Sequence, residues 1–397
     1  MRQPLIWIGA LILGAILGFL QIGWLDRTMD FVAMVYVRLF QLLAVPTIVL
    51  AVTTTLATLG KEHNAGRIFR HTISYTLLTT SVASMVGLAL YLIIAPGSLP
   101  AEALPVESPE DSPLTSHLSY SDHLLSVIPN NIVKPFLDGN VLSLLLLAFA
   151  VGFGLSRMPE SENKAVLIKG LLGLQELLFL LIRGLIWTLP VGIVAFAVQL
   201  SAQLTTGIVA DSLGRYVAVV LGGNLLQLFI ALPLFLLLRG LNPLRVFSKM
   251  YPAVLMALFS KSSAATLPVT IQCAEKRQGV DTKVARFVLP ICTTINMNGC
   301  AAFILVTSLF VMQQGGVELT WPTILSWLLI SVLSAVGNAG VPMGCYFLTL
   351  SLMSGIGAPV SVLGIILPIY TIIDMVETAV NVWSDSCVAA MVDKDLK

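Results

Sequence analysis

Ser260-Lys261-Ser262-Ser263-Ala264-Ala265-Thr266-Leu267-Pro268 interrupts an apolar stretch, about residues 248–272, near its middle. Gly337-Asn338-Ala339-Gly340-Val341-Pro342-Met343-Gly344 does the same to a second stretch, about residues 322–352. Small, polar and Pro residues at mid-segment leave backbone N–H and C=O groups unpaired. Inside a membrane that is tolerated only where protein or a wet cavity meets them. Each broken stretch precedes a long apolar span rich in Asn, Asp and Thr. Interrupted segments in corresponding positions point to the binding site of a secondary transporter.

The membrane setting follows from composition. The chain has 397 residues, 57% hydrophobic and 11% charged, with mean hydropathy +0.92; soluble domains carry about 25% charged residues. Spans of the required ~20 residues read at about 4–25, 31–59, 73–96, 124–156, 165–200, 216–238, 283–313 and 360–391. The first is too long and apolar for a signal h-region and shows no small-residue cleavage site, so it reads as a span. A net charge of +1 argues against a nucleic-acid partner. The five cysteines, Cys273, Cys292, Cys300, Cys345 and Cys387, lie mostly in apolar segments without metal-ligand spacing and read as reduced packing residues.

Orientation follows from Lys and Arg. Lys61, Arg67 and Arg70 follow span two; Arg157, Lys164 and Lys169 follow span four; Arg239, Arg245 and Lys249 follow span six. Lys276, Arg277 and Lys283 follow the first broken stretch, and Lys394 and Lys397 close the chain. Residues 97–124 hold no Lys or Arg but carry Glu102, Glu107, Glu110, Asp111 and Asp122. Both termini therefore read as cytoplasmic. The signs agree only if each broken stretch enters and leaves on one side, the first opening to the cytoplasm and the second to the exterior. The expected fold is all-α and integral to the membrane, with eight transmembrane helices and two re-entrant helical hairpins. Its divisions are 1–60 (spans one and two), 70–97 (span three), 98–210 (an extracellular loop, then spans four and five), 211–245 (span six), 246–272 (first hairpin), 283–313 (span seven), 321–352 (second hairpin) and 358–392 (span eight).

The last span carries Asp374, Glu377, Thr378, Asn381 and Asp385. On a helix the two Asp, the Glu and the Asn fall within roughly 80° of one another. Three carboxylates facing lipid would cost on the order of 9 kcal/mol, so the stripe must face protein, water or cations. Asp385 with the amide oxygens of Asn381 and Asn296 offers one formal charge and neutral oxygens, a set that suits sodium better than a divalent ion. Unwound carbonyls near Cys292, Thr294 and the second tip complete such a shell. An amino acid brings an ammonium for Asp374 and a carboxylate for hairpin-tip N–H groups, near Val341 and Gly344, and for the hydroxyls of Ser262 and Ser263. Thr378 adds a hydroxyl, and Glu377 sits one turn along for the substrate side chain. A lone Ser or Thr in a span ordinarily bonds its own helix. Lys261 either neutralises Asp374 or Glu377 in an empty site or reaches water. Arg38 and Arg183 read as snorkelling residues, and Lys134 as part of a wet break in span four. A hydrolase is disfavoured because Ser262-Ser263 has no histidine partner: His63, His71, His117 and His123 lie in loops or at a span end. A channel is the other rival.

Ser262-Ser263-Ala264-Ala265-Thr266-Leu267-Pro268-Val269-Thr270, Asn296-Met297-Asn298-Gly299, Gly340-Val341-Pro342 and Asp374…Thr378…Asn381…Asp385 resemble the dicarboxylate/amino acid:cation symporter family, the glutamate-transporter type. The likeness runs over essentially the whole chain, including Tyr75-Thr76-Leu77-Leu78-Thr79 and Thr188-Leu189-Pro190-Val191-Gly192. It implies a homotrimer in a plasma membrane, with spans one, two, four and five as static scaffold. A unit of spans three, six, seven, eight and the hairpins would move like an elevator. The compact chain and short loops suggest a bacterial inner membrane. By matching motif, Asp374 holds the substrate amino group, while Ser263, Thr378 and Asn381 line the pocket. Asn296, Asn381 and Asp385 form one sodium site, and the backbones of Thr294, Ala335, Val336 and Asn338 a second. Members that take glutamate or aspartate have Arg where this chain has Glu377. Asp374-Met375-Val376-Glu377-Thr378-Ala379-Val380-Asn381 looks instead like the serine/threonine branch. Asn298 and Tyr370 stand where the acidic-substrate pattern has Asp, which implies a weakened third sodium site near Thr79 and Thr80 and fewer coupled ions than in glutamate carriers. The resulting expectation is sodium-coupled symport of small neutral amino acids, with cationic and proton-coupled acidic substrates as alternatives.

Overall fold

The computed structural model describes residues 2–20, 22–59, 66–99, 128–138, 141–204, 208–336, 338 and 343–397. Lys61, the acidic run from Glu102 to Asp122, the start of the expected fourth span and Val341 lie outside these residues. Among the described residues there is no strand. Helices α1 (Arg2–Phe19), α2 (Gly23–Leu59) and α3 (Gly66–Ile94) match the first three spans. In the fourth, expected over 124–156 with a wet break at 129–135, residues 128–133 are non-helical, and a short α4 (Lys134–Asp138) precedes α5 (Val141–Arg157). Pro129 and Pro135 account for this, because each removes a donor and restricts the residue before it. Helix α6 (Glu162–Leu204) follows, then α7 (Ile208–Leu226), a π-helical turn (Gln227–Ala231) and α8 (Leu232–Leu238). Pro233 cannot donate to the carbonyl four residues back, and the wider turn takes up that gap.

A non-glycine residue in the left-handed region stands at each break. Helix α9 (Pro243–Ser260) ends at Lys261, in the left-handed region at φ 53°. Ser262 is extended, and its side chain accepts from the Ala265 N–H at 3.2 Å, capping α10 (Ser263–Cys273). After a π-helical turn (Ala274–Gln278) come α11 (Thr282–Ile295) and α12 (Asn298–Gln314). Helix α13 (Trp321–Val336) precedes the second break, and α14 (Gly344–Gly355) begins after Met343, left-handed at φ 61°. Helix α15 (Ser361–Leu396) runs through Pro368 to the end of the chain. Of the described non-glycine residues with positive φ, Lys261 and Met343 are two, alongside Ala95. Such conformations persist only where the surroundings enforce them, and they cluster at functional sites.

Span seven was expected over 283–313 with unwound carbonyls near Cys292 and Thr294; the structure divides it a little later, with Asn296 and Met297 unwound between α11 and α12. The cysteines also differ from expectation. Cys273, Cys292 and Cys387 are free and buried, but Cys300 and Cys345 are joined in a disulfide, with Cα atoms 5.5 Å apart. They stand in the first turns of α12 and α14, 45 residues apart in sequence. No spacing rule links two cysteines that only tertiary packing brings together.

The helices fall into two packing groups. Helices α1, α2, α5 and α6 pack on one another. A methyl on Gly14 would lie 2.5 Å from the Val194 carbonyl oxygen, so this glycine lets α1 and α6 approach backbone to backbone. Helices α3 and α7 to α15 form the second group, with α12 and α15 buried at its centre. The groups meet where α14 touches α2 and where Gly364 of α15 takes the Phe196 ring of α6. One apolar cluster, shared by both groups, holds Val362 to Ile373 of α15, and another, in the second group, holds Ala379 to Val392. The polar stripe begins in the gap between them.

Candidate functional site

Helix α15 places Asp374, Glu377, Thr378, Asn381 and Asp385 inside the protein, all buried. The unwound Asn296-Met297 exists because the Asn296 side chain is fully engaged sideways. Its amide nitrogen donates to Ser384 Oγ and to Asp385 Oδ1, both at 2.9 Å. Its Oδ1 accepts from Thr79 Oγ1 at 3.1 Å and from Asn298 Nδ2 at 2.9 Å. Asn298 Nδ2 also lies 3.3 Å from both Thr79 Oγ1 and Thr80 Oγ1, while its Oδ1 accepts from Gln227 Nε2 at 2.7 Å. Gln227 opens the π-helical turn, a feature that often marks functional positions. Asn381 Oδ1 accepts from the Gly299 N–H at 2.9 Å. A Cβ on Gly299 would lie 2.8 Å from Glu377 Cα, so only glycine lets α12 start against α15.

Both broken stretches reach Asp374. Its Oδ2 accepts from the Met343 N–H, at the start of α14, at 3.2 Å. Lys261, 6% exposed at the other tip, attracts it electrostatically. Its burial argues against the reading in which Lys261 reaches water. Glu377 lies one turn on, and its Oε2 accepts from the Tyr370 hydroxyl at 3.2 Å. Thus Asp374, Glu377, Asn381, Asp385 and Asn296 lie buried together, while the tip residues Ser262 and Ser263 are buried in the first break, where Ser262 accepts hydrogen bonds from Ala265 and Thr266 of the same hairpin. A methyl on Gly344 would collide with the Asn338 side chain, which ties the second break to α12.

Other expected residues are placed less directly. The Thr378 hydroxyl donates to its own helix, at the Asp374 carbonyl (2.8 Å), and Thr294 does the same to Ile291 O (2.8 Å). The Cys292 carbonyl accepts from the Asn296 N–H at 2.8 Å, and the Ala335 carbonyl from the Asn338 N–H at 3.1 Å. Val336 closes α13 and is half-buried. Ser384, Gln227 and the Cys300–Cys345 pair join the site without having been expected. Ser384 lies next to Asp385 but off the acidic stripe's strongest signal. Gln227 needed the π turn to be seen.

A family model described as the sodium:dicarboxylate symporter family matches residues 5–395. A Caenorhabditis elegans protein named excitatory amino acid transporter is 26% identical over 436 residues, covering 97% of this chain and 86% of that relative. Human neutral amino acid transporter A is 29% identical over 419 residues, covering 96% and 77%. Rat excitatory amino acid transporter 2 is 26% identical over 410 residues, covering 90% and 71%. With the matched residues running nearly from end to end, the chain belongs to the sodium:dicarboxylate symporter family.

Proposed function

We propose that this protein is a sodium-coupled symporter of small neutral amino acids, serine and threonine first. It works as a homotrimer of eight-span protomers with two re-entrant hairpins. The group of α3 and α7–α15 carries the site across the membrane against the group of α1, α2, α5 and α6. The observation that carries the reading is the meeting of both broken stretches at Asp374, beside the amide and carboxylate cluster of Asn296, Asn381 and Asp385. Asp374 takes the substrate ammonium, displacing Lys261. The N-terminal turns of α10 and α14, at Ser262–Ser263 and Met343–Gly344, receive its carboxylate. Asp385, Asn381 and the unwound backbone at Asn296 hold one sodium ion. Thr294, Ala335, Val336 and Asn338 offer backbone oxygens for another. Counted as ionised, Asp374, Glu377 and Asp385 against Lys261 leave a formal charge of −2, which two sodium ions balance when the substrate is a zwitterion.

Relatives named for neutral and for excitatory amino acids match at similar identity, so the side-chain preference rests on Glu377. A buried carboxylate there accepts a hydrogen bond from a substrate hydroxyl and repels an acidic side chain. The deciding experiment reconstitutes the protein in liposomes and measures uptake of a radiolabelled amino-acid panel. Serine and threonine should accumulate only under an inward sodium gradient. Uptake indifferent to sodium, or a preference for aspartate, would overturn the proposal. In the same assay, Glu377→Arg should lower serine uptake at least tenfold; equal serine uptake by the variant and the original removes Glu377 from selectivity.

Asn298 supports a low ion count. Its amide nitrogen stands among three oxygens, from Asn296, Thr79 and Thr80, and so does what a cation does elsewhere. Asn298→Asp exchanges that donor for a carboxylate. Its sodium titration of uptake should become steeper, and a slope equal to that of the original protein counts against the assignment.

A further inference from the structure

Glu377 has more binding capacity than its neighbours use. It is 1% exposed, and among the described residues its Oε1 has no hydrogen-bond partner. Cys300 and Cys345 lie beside it, also buried. One ligand atom from each of the three, two sulfurs and a carboxylate oxygen, all fall within 4.8 Å of one another. They come from three helices, α12, α14 and α15. Asn338 directs its amide at both sulfurs, 3.0 Å from each, and Asn381 directs its own at Cys300 Sγ, 3.3 Å away. Which end of such an amide carries oxygen is an assignment, so Asn338 can also present an acceptor here.

We propose that the dithiol form of this cluster is a binding site for a thiophilic divalent cation such as Zn²⁺, held by Cys300, Cys345 and Glu377 with Asn338 facing the fourth position. The disulfide takes up two electrons and two protons to give two thiols, and the metal displaces both protons on binding. Tetrahedral zinc with Zn–S bonds of about 2.3 Å sets its sulfurs about 3.8 Å apart, less than the 4.8 Å within which the three ligand atoms lie. Thiolates select zinc or cadmium over sodium, magnesium and calcium, so the site does not compete for the coupling ion. A bound metal would tie α14, the limb that follows the second break, to α12 and α15. It would also occupy Glu377. Metal binding stands apart from the transport reading; only inhibition of uptake by the metal rests on it.

The test uses the full chain without sodium or amino acid, so that failure of transport leaves it intact. The protein is reduced with a water-soluble phosphine, which becomes the phosphine oxide with an oxygen from water, freed of reductant and titrated with Zn²⁺. One zinc per protomer is expected, with an X-ray absorption shell containing two sulfurs. Cys300→Ser and Cys345→Ser should each weaken binding about 100-fold, while Cys273→Ser, remote from the cluster, leaves it unchanged. The oxidised protein of the same sequence should bind none, a comparison that needs no variant to fold. A metal shell without sulfur, or equal binding before and after reduction, overturns the site.

Discussion

Asp374→Ala is expected to abolish detectable substrate binding while the protein still assembles. In the structure the Asp374 carboxylate accepts from the Met343 N–H of the second broken stretch, and the buried Lys261 stands at the first. In the proposed cycle the substrate ammonium takes the place of Lys261. Removing one partner of a buried charge pair costs about 3–5 kcal/mol, and each 1.4 kcal/mol is a factor of ten in affinity. The expected loss is therefore on the order of several hundred-fold or more. Part of that cost falls on Lys261, left buried beside no carboxylate. Asp374→Asn separates the two effects, because it keeps the shape and an acceptor for Met343 but gives up the charge. Isothermal titration in saturating sodium, with gel filtration to confirm assembly, reads the outcome. Retention of near-original affinity by both variants would sink the ammonium role.

What was legible in the sequence was the part written in local chemistry. A mid-membrane carboxylate carries a cost that composition alone reveals, so the stripe of Asp374, Glu377, Asn381 and Asp385 announced a buried site without any structure. The breaks at 260–268 and 337–344 were legible for the same reason, since a run of serine, glycine and proline cannot complete a lipid-facing helix. Unwinding of span seven was expected near Cys292 and Thr294, but its place at Asn296-Met297 was hidden. Two asparagines inside an apolar run break a helix only when partners elsewhere engage their side chains, and those partners, Ser384, Asp385, Thr79 and Gln227, come from three other segments. The pairing of Cys300 with Cys345 was hidden likewise, because each cysteine alone looks like an ordinary small apolar residue. The break in span four was legible in Pro129 and Pro135, each of which removes a backbone donor.

Asp385→Asn should raise the sodium concentration needed for half-maximal uptake by about 100-fold, or remove sodium dependence from uptake altogether. Asp385 is buried and bonded to Asn296 at 2.9 Å, and no basic side chain is paired with it among the described residues. In the proposed reading a sodium ion entering this site sheds its water, and neutral oxygens alone replace that hydration poorly. The carboxylate provides the one full charge in the set. Its loss leaves a charge-assisted contact worth about 1.5–3 kcal/mol unmade, with more lost where solvent is excluded. The substitution keeps the volume of the side chain, and an amide can still face Asn296 or Ser384, so folding should survive. A direct readout is sodium-driven protection of the protein against thermal unfolding, which requires no substrate. If the variant shows the same sodium titration in both assays, the coupling ion lies elsewhere. Should protection vanish while sodium-free binding of the amino acid remains weak but measurable, the ion and the substrate occupy distinct sites linked through Asn381, whose side chain reaches the Gly299 backbone on one side and Cys300 on the other.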